Sequence, residues 1–150
     1  MTLYLLALLT LGLMCGSELN VGAFAHRVLR RQPLETHILM RASFARLFGR
    51  IMPFWMTGSA LLNILLLLPF AHLTQQAWRL AVLAGAIQVL AIPFSLVGPV
   101  PINNRVAQWT PQSLPPDWKA QEQRWDAYHF VRTCSLIVAF AALIVSAMWR

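Results

Sequence analysis

Apolar residues run almost unbroken through four stretches, Leu3 to Ala25, Ile51 to Ala71, Trp78 to Gly98 and Val131 to Trp149, and the segments between them carry most of the charge. Each stretch is close to the roughly 20 helical residues that cross a hydrocarbon core some 30 Å thick. The pattern predicts an all-α fold: an integral membrane four-helix bundle, with residues 1–150 forming a single transmembrane domain. The first stretch lacks the basic start of a secretion signal and continues past Gly16 and Ser17 into Phe24, so it reads as a retained span.

The intervening segments have patterns of their own. After span one, Ile38, Leu39, Ala42, Ala45 and Phe48 recur at helical spacing with Arg41, Arg46 and Arg50 between them. This predicts a cytoplasmic amphipathic helix that lies on the inner leaflet or runs straight into span two. Pro53 then falls in the first turn of that span or marks a kink. Gly98, Pro99 and Pro101 stop span three, and Pro115 and Pro116 form a second stop. Asp117 follows as a capping residue for a helix starting at Trp118. With no breaker after it, this fourth helix should extend from the cytoplasm into the membrane as one long rod.

Composition confirms the solvent. The chain is 58% hydrophobic and only 11% charged, where a water-soluble domain carries about 25% charged residues. Disorder and a nucleic-acid-binding module are excluded. The net charge of +7 does not reopen the second, because the cations are segregated. Arg27, Arg30, Arg31, Arg41, Arg46 and Arg50 lie between spans one and two, and Arg105, Lys119, Arg124 and Arg132 lie in or beside the segment between three and four. Positive residues stay on the cytoplasmic side, so both termini should lie outside the cytoplasm of a multi-pass inner (plasma) membrane protein. The lipid bilayer is its first partner and nucleic acid is not one. Cys15 and Cys134 sit in apolar runs and read as buried small hydrophobes.

Polar residues inside the spans cost free energy and therefore attract attention. Glu18 lies about 22 Å along span one, in the inner half of the bilayer, with Asn20 close behind. It should be protonated, paired with a cation or facing a wet cavity; a helix-bridging carboxylate is the plain structural alternative. On the fourth helix, Glu122, Asp126, His129 and Thr133 share one face, with Trp125 and Arg132 on the adjoining stripe. His129 and Arg132 reach the same depth as Glu18 and as the turn carrying Asn103 and Asn104. A pocket would satisfy these groups together, although a membrane-boundary His and Arg also serve as anchors. Asp126 and His129 have half of a di-metal spacing, but only one copy exists, so no metal site is assigned. His26, His37 and His72 fall at span ends and read as interfacial residues. Asn63 and Gln88, near mid-bilayer, read as amides bonding between helices. Trp109, Trp118 and Trp125 cluster beside the site as an aromatic wall.

The runs Gly16-Ser-Glu-Leu-Asn20, Pro101-Ile-Asn-Asn-Arg105, Leu114-Pro-Pro-Asp-Trp118 and Arg124-Trp-Asp-Ala-Tyr-His-Phe-Val-Arg-Thr133 together resemble the anthrone-oxygenase-like family of small four-span membrane proteins. The resemblance implies oxidation of an anthrone to an anthraquinone with dioxygen and no known cofactor, and carries the family's motif positions onto Asn103, Trp125, His129 and Arg132, with Asn104, Glu18 and Asp126 beside them. The residues suit such a reaction. His129, oriented by Asp126, is the expected base, and Arg132 with Asn103 or Asn104 the expected anion stabiliser. Trp125, Trp118, Phe130 and Asn20 are the expected contacts of a small hydrophobic, aromatic substrate. The scheme needs no cofactor, with metal and haem left open. The competing reading is a non-catalytic accessory subunit, its polar belt packed against another copy or a membrane-complex partner.

Overall fold

The computed structural model describes residues 2–68 and 73–150. Helices account for nearly all of the described chain, and no strand occurs among the described residues. In order they are α1 (Thr2–Asn20), a π-helical turn (Val21–Ala25), α2 (His26–Leu29), α3 (Leu34–Leu66), α4 (Gln75–Val97), α5 (Pro99–Val106) and α6 (Trp118–Met148). Among the described residues, three helical segments are long and apolar enough to cross a membrane: Thr2–Leu29, Gln75–Val97 and Trp118–Met148. This is the composition of a membrane protein. The expected second span belongs to α3, whose apolar part starts only after Arg50, and its predicted end at Ala71, with His72, lies outside the described residues.

Of the two forms open to the amphipathic segment, the structure adopts the second: residues 34 onward run into the apolar half of α3 without a break, and Pro53 sits inside the helix. A proline there gives up one ladder hydrogen bond and crowds the carbonyl four residues earlier, which belongs to Gly49. The long rod is also present, starting at Trp118, but its start differs in detail. Asp117 occupies the cap position without a capping bond; its carboxylate instead accepts from Gln121 Nε2 at 3.0 Å. Thr74 does cap its helix, accepting from Ala77 N at 3.3 Å.

α6 packs chiefly on α4 and then on α1, and α3 closes the bundle against α1 and α4. Small residues allow the close approach: Ala77, Ala81, Ala84 and Ala139 are fully buried with Leu11, Met14, Leu136 and Leu143. Polar ties cross the same seams. Trp55 Nε1 donates to the Thr10 carbonyl at 3.0 Å, and Ser59 donates to Gln88 Oε1 at 2.9 Å. Gln88 is thus the interhelical amide expected of it, whereas the Asn63 amide is buried without a hydrogen-bond partner and packs beside Gly85. Leu9, Leu13, Phe54, Leu90 and Val138 point outward as the exposed apolar surface. Cys15 is buried as expected; Cys134 is not, and joins that outer face.

A second core forms where α5, the start of α6 and the first half of α3 meet. Ile38, Val106, Trp109 and Trp125 are buried there, with Trp118 packed at the margin. Of the three tryptophans expected to form an aromatic wall, Trp125 reaches the candidate site.

Candidate active site

Three of the five acidic residues build the site, and each is held by one arginine and one histidine. Glu122 Oε1 lies 3.0 Å from Arg41 Nε and 2.7 Å from His37 Nε2. Asp126 pairs with Arg30 and lies 3.5 Å from His26 Nδ1. Glu18 Oε2 lies 2.7 Å from Arg132 Nη2 and 3.2 Å from His129 Nδ1. The groups are linked: the Arg41 guanidinium also donates to the His26 ring. Pairing of this kind is what allows charges to persist away from water, since an isolated buried ion is far costlier.

Glu18, His129 and Arg132, separated by more than a hundred residues, therefore meet at the shared depth expected for them. Arg132 grips the carboxylate with Nε at 3.1 Å as well as Nη2, and its Nη1 reaches Ser95 Oγ at 3.3 Å. Local backbone explains why α1 can serve them. A π-helical turn begins three residues after Glu18, and a helical carbonyl keeps a second lone pair that can accept a side-chain donor. The Glu18 carbonyl accepts from His129 Nε2 at 2.9 Å. The ring lies flat against Trp125, with centroids 4.5 Å apart and planes inclined by 13°. The Arg41 guanidinium approaches the same indole at 4.9 Å and the His26 ring at 4.7 Å.

Gly22, in the π-turn, leaves room for the imidazole. A Cβ built there would meet His129 Cδ2 at 2.9 Å and Nε2 at 3.0 Å. Because the ring is pinned by Trp125 and by the Glu18 carbonyl, Gly22→Ala is expected to cost about 1–3 kcal/mol through overpacking. The thermal midpoint in detergent should fall by several degrees. Gly16→Ala, where an added Cβ meets nothing within 4 Å, is the control and should leave the midpoint unchanged or raise it.

The cluster opens onto a cavity of about 310 Å³, at the lower end of small-molecule sites. Phe44, Phe48, Met52, Met56, Ile92 and Leu96 make most of its wall apolar, and Glu18, Arg41, Asn103, Asn104, Trp125, His129 and Arg132 are also on its lining. A second hollow of about 340 Å³ also has Glu18 and His129 on its lining, with Gly22, Arg27, Arg30, Asp126 and Thr133. Arg41, set before the apolar half of α3, has its pKa lowered by burial, an effect that Glu122 and Asp126 only partly offset; its charge persists at neutral pH.

Not every expected residue takes its expected place. Asp126, expected to orient His129, reaches His26 and Arg30 instead, and the carboxylate against the imidazole is Glu18. Arg132, expected to hold a substrate anion, is occupied by Glu18 and Ser95. Phe130 is 69% exposed and lines only the second hollow. Trp118 packs on the His37 ring, away from the cavity, and Asn20 faces outward. Sequence reasoning missed His26, His37 and Arg41. The two histidines are not interfacial anchors but buried members of the carboxylate groups. Arg41 could have been noticed as the cation set among the apolar positions of the amphipathic stretch. Among the described residues, no group of three or more His, Cys, Asp or Glu is arranged to hold a metal.

A family model described as anthrone oxygenase matches residues 40–142. No curated protein and no solved structure matches the chain. The matched stretch contains Arg41, Asn103, Asn104, Trp125, His129 and Arg132, and starts after Glu18 and His26.

Proposed function

The chain belongs to the anthrone oxygenase family, and from that premise we propose that it is an integral membrane oxygenase. Its substrate is a small hydrophobic aromatic compound, anthrone- or quinone-like, which it oxidises with dioxygen. One observation carries the reading: a buried carboxylate, imidazole and guanidinium cluster opens onto a largely apolar cavity of about 310 Å³. The apolar half of α3 is the fourth crossing in this reading, and the arginine-rich end of the bundle faces the cytoplasm.

The chemistry requires little beyond that cavity. The methylene of an anthrone lies between two rings and opposite a carbonyl, so removal of one proton leaves an electron pair that spreads onto the carbonyl oxygen. This electron-rich anion reduces dioxygen and forms a carbon–oxygen bond to it. The oxygen–oxygen bond then breaks as the second methylene hydrogen leaves. One oxygen atom becomes the new carbonyl, and the other departs as water with both hydrogens. The protein needs a base, donors for the anionic oxygen and a flat apolar slot. Asn103 and Asn104 on the lining are donors for the oxygen, since Arg132 is committed to Glu18 and Arg41 to Glu122 and the His26 ring. Trp125 and the phenylalanines of α3 supply the slot. A lipid-soluble substrate and dioxygen both enter from the bilayer.

Anthrone and labelled dioxygen test this in membranes that carry the chain. The expected product has one labelled oxygen in the quinone, formed faster than in membranes without the chain. Thr57 lies exposed at the cavity lining, so Thr57→Trp should narrow the cavity and lower kcat/KM by about tenfold, equivalent to roughly 1.4 kcal/mol, without disturbing the fold. Oxidation no faster than in empty membranes would overturn the oxygenase reading, and a stable complex with another membrane protein would then favour the accessory role.

A further inference from the structure

A group that takes a proton from carbon must present an unshared lone pair to the substrate space. The imidazole of His129 does not. Its Nε2 lies 2.9 Å from the Glu18 carbonyl oxygen, which can only accept, so Nε2 carries the ring proton. Its Nδ1, left as the acceptor, is turned into the cluster and takes the Arg132 Nη2 donor at 3.4 Å. Both nitrogens are committed.

The carboxylate is arranged differently. The two donors of Arg132, Nε and Nη2, converge on one oxygen, Oε2. The second oxygen, Oε1, takes part in neither contact, and it is not among the fully buried polar atoms that lack a partner. Glu18 is 2% exposed overall and lines both the apolar cavity and the second hollow. An oxygen that is unpaired yet reachable, on a side chain otherwise buried and clamped, is the arrangement a base requires.

We propose that Glu18 Oε1, rather than the imidazole, accepts the substrate proton, and that His129 is a positioning residue that holds Glu18 by its main-chain carbonyl and steadies the Arg132 guanidinium. This rests on the oxygenase reading above and names the atom that starts it. The carbon–hydrogen bond breaks, its electron pair stays on the carbon skeleton and spreads to the carbonyl oxygen, and an O–H bond forms at Oε1. Arg132 keeps hold of Oε2 in both states. The second hollow gives the carboxyl its contact with water. Arg27 and Arg30 lie on that side, and the Thr133 hydroxyl, buried without a hydrogen-bond partner, is on its wall. A proton captured from the substrate can therefore exchange with solvent without water crossing the apolar cavity.

The test is anaerobic, so that proton removal is read without oxygen chemistry. Full-length protein in detergent or membranes is mixed with anthrone in heavy water, and deuterium entering the methylene is followed. The expected result is exchange well above background for the native chain and a loss of about 10²–10⁴-fold for Glu18→Gln, whose amide oxygen can still accept from Arg132. His129→Gln should slow exchange without abolishing it and leave KM for anthrone nearly unchanged. Glu18→Asp should recover part of the loss. Retention of exchange in Glu18→Gln, or its abolition in His129→Gln with Glu18→Asp no better than Glu18→Gln, overturns the assignment. A native chain that oxidises anthrone but does not speed exchange also overturns it while sparing the oxygenase reading, and one that does neither removes both.

Discussion

Arg132→Leu is expected to deplete the folded protein severely, because it leaves the Glu18 carboxylate buried with its guanidinium partner gone. Breaking a buried pair from one side costs about 3–5 kcal/mol, a large part of the 5–15 kcal/mol that stabilises a typical domain. His129 cannot take over the role. Its ring proton is spent on the Glu18 main-chain carbonyl, whereas Arg132 offers Nε and Nη2 and is itself steadied by Ser95. The companion variant is Glu18→Leu with Arg132→Met. Replacing both members by apolar groups of similar size is neutral or even stabilising for many buried pairs, so most of the folded yield and thermal midpoint should return, with no anthrone oxidation. A single Arg132→Leu variant as stable in detergent as the native chain would show that the pair is not fully desolvated.

Trp125→Ala should be comparably severe, for a reason that is steric. The indole is the slab between the His129 ring on one side and the His26 ring and Arg41 guanidinium on others. Truncation to alanine removes a large buried side chain, at about 3–5 kcal/mol, and releases three groups of the site together. Oxidation of anthrone should fall to background. Trp125→Phe separates this explanation from one based on the indole N–H. That N–H has no hydrogen-bond partner, so a phenyl ring that still stacks should keep most of the stability and activity. Equal loss in Trp125→Phe and Trp125→Ala would mean that the N–H has a role after all, with a bound ligand as the natural acceptor.

Much of the site was legible because a membrane makes depth countable. The rise per residue places Glu18 about 22 Å along its helix, and the start of the apolar run on α6 places His129 and Arg132 nearby. A shared level follows from sequence distance alone, and the Glu18–Arg132 contact bears it out. Sharing a face was a weaker guide. Asp126 and His129 are spaced to be neighbours on α6, yet Asp126 turns to the α2 segment and His129 to α1. Phe130 follows His129 in sequence and points the opposite way. His26 and His37 sit at positions that suit interfacial anchors, and only side-chain contacts reaching from α2 and α3 to α6 make them buried partners of Asp126 and Glu122.

Apolar run length, proline stops and the isolation of a few polar groups determined the helical class, the membrane as solvent and the depth of the ionic cluster. Those properties depend on residues close together in the chain and on the cost of polar groups in hydrocarbon. Which arginine and which histidine each carboxylate takes, and which oxygen of Glu18 is left open, were decided by the tertiary structure. Each depends on how a helix is rotated about its axis relative to its neighbours. Here the π-turn at Val21–Ala25 and the space at Gly22 set that rotation, and neither leaves a trace in hydrophobic periodicity.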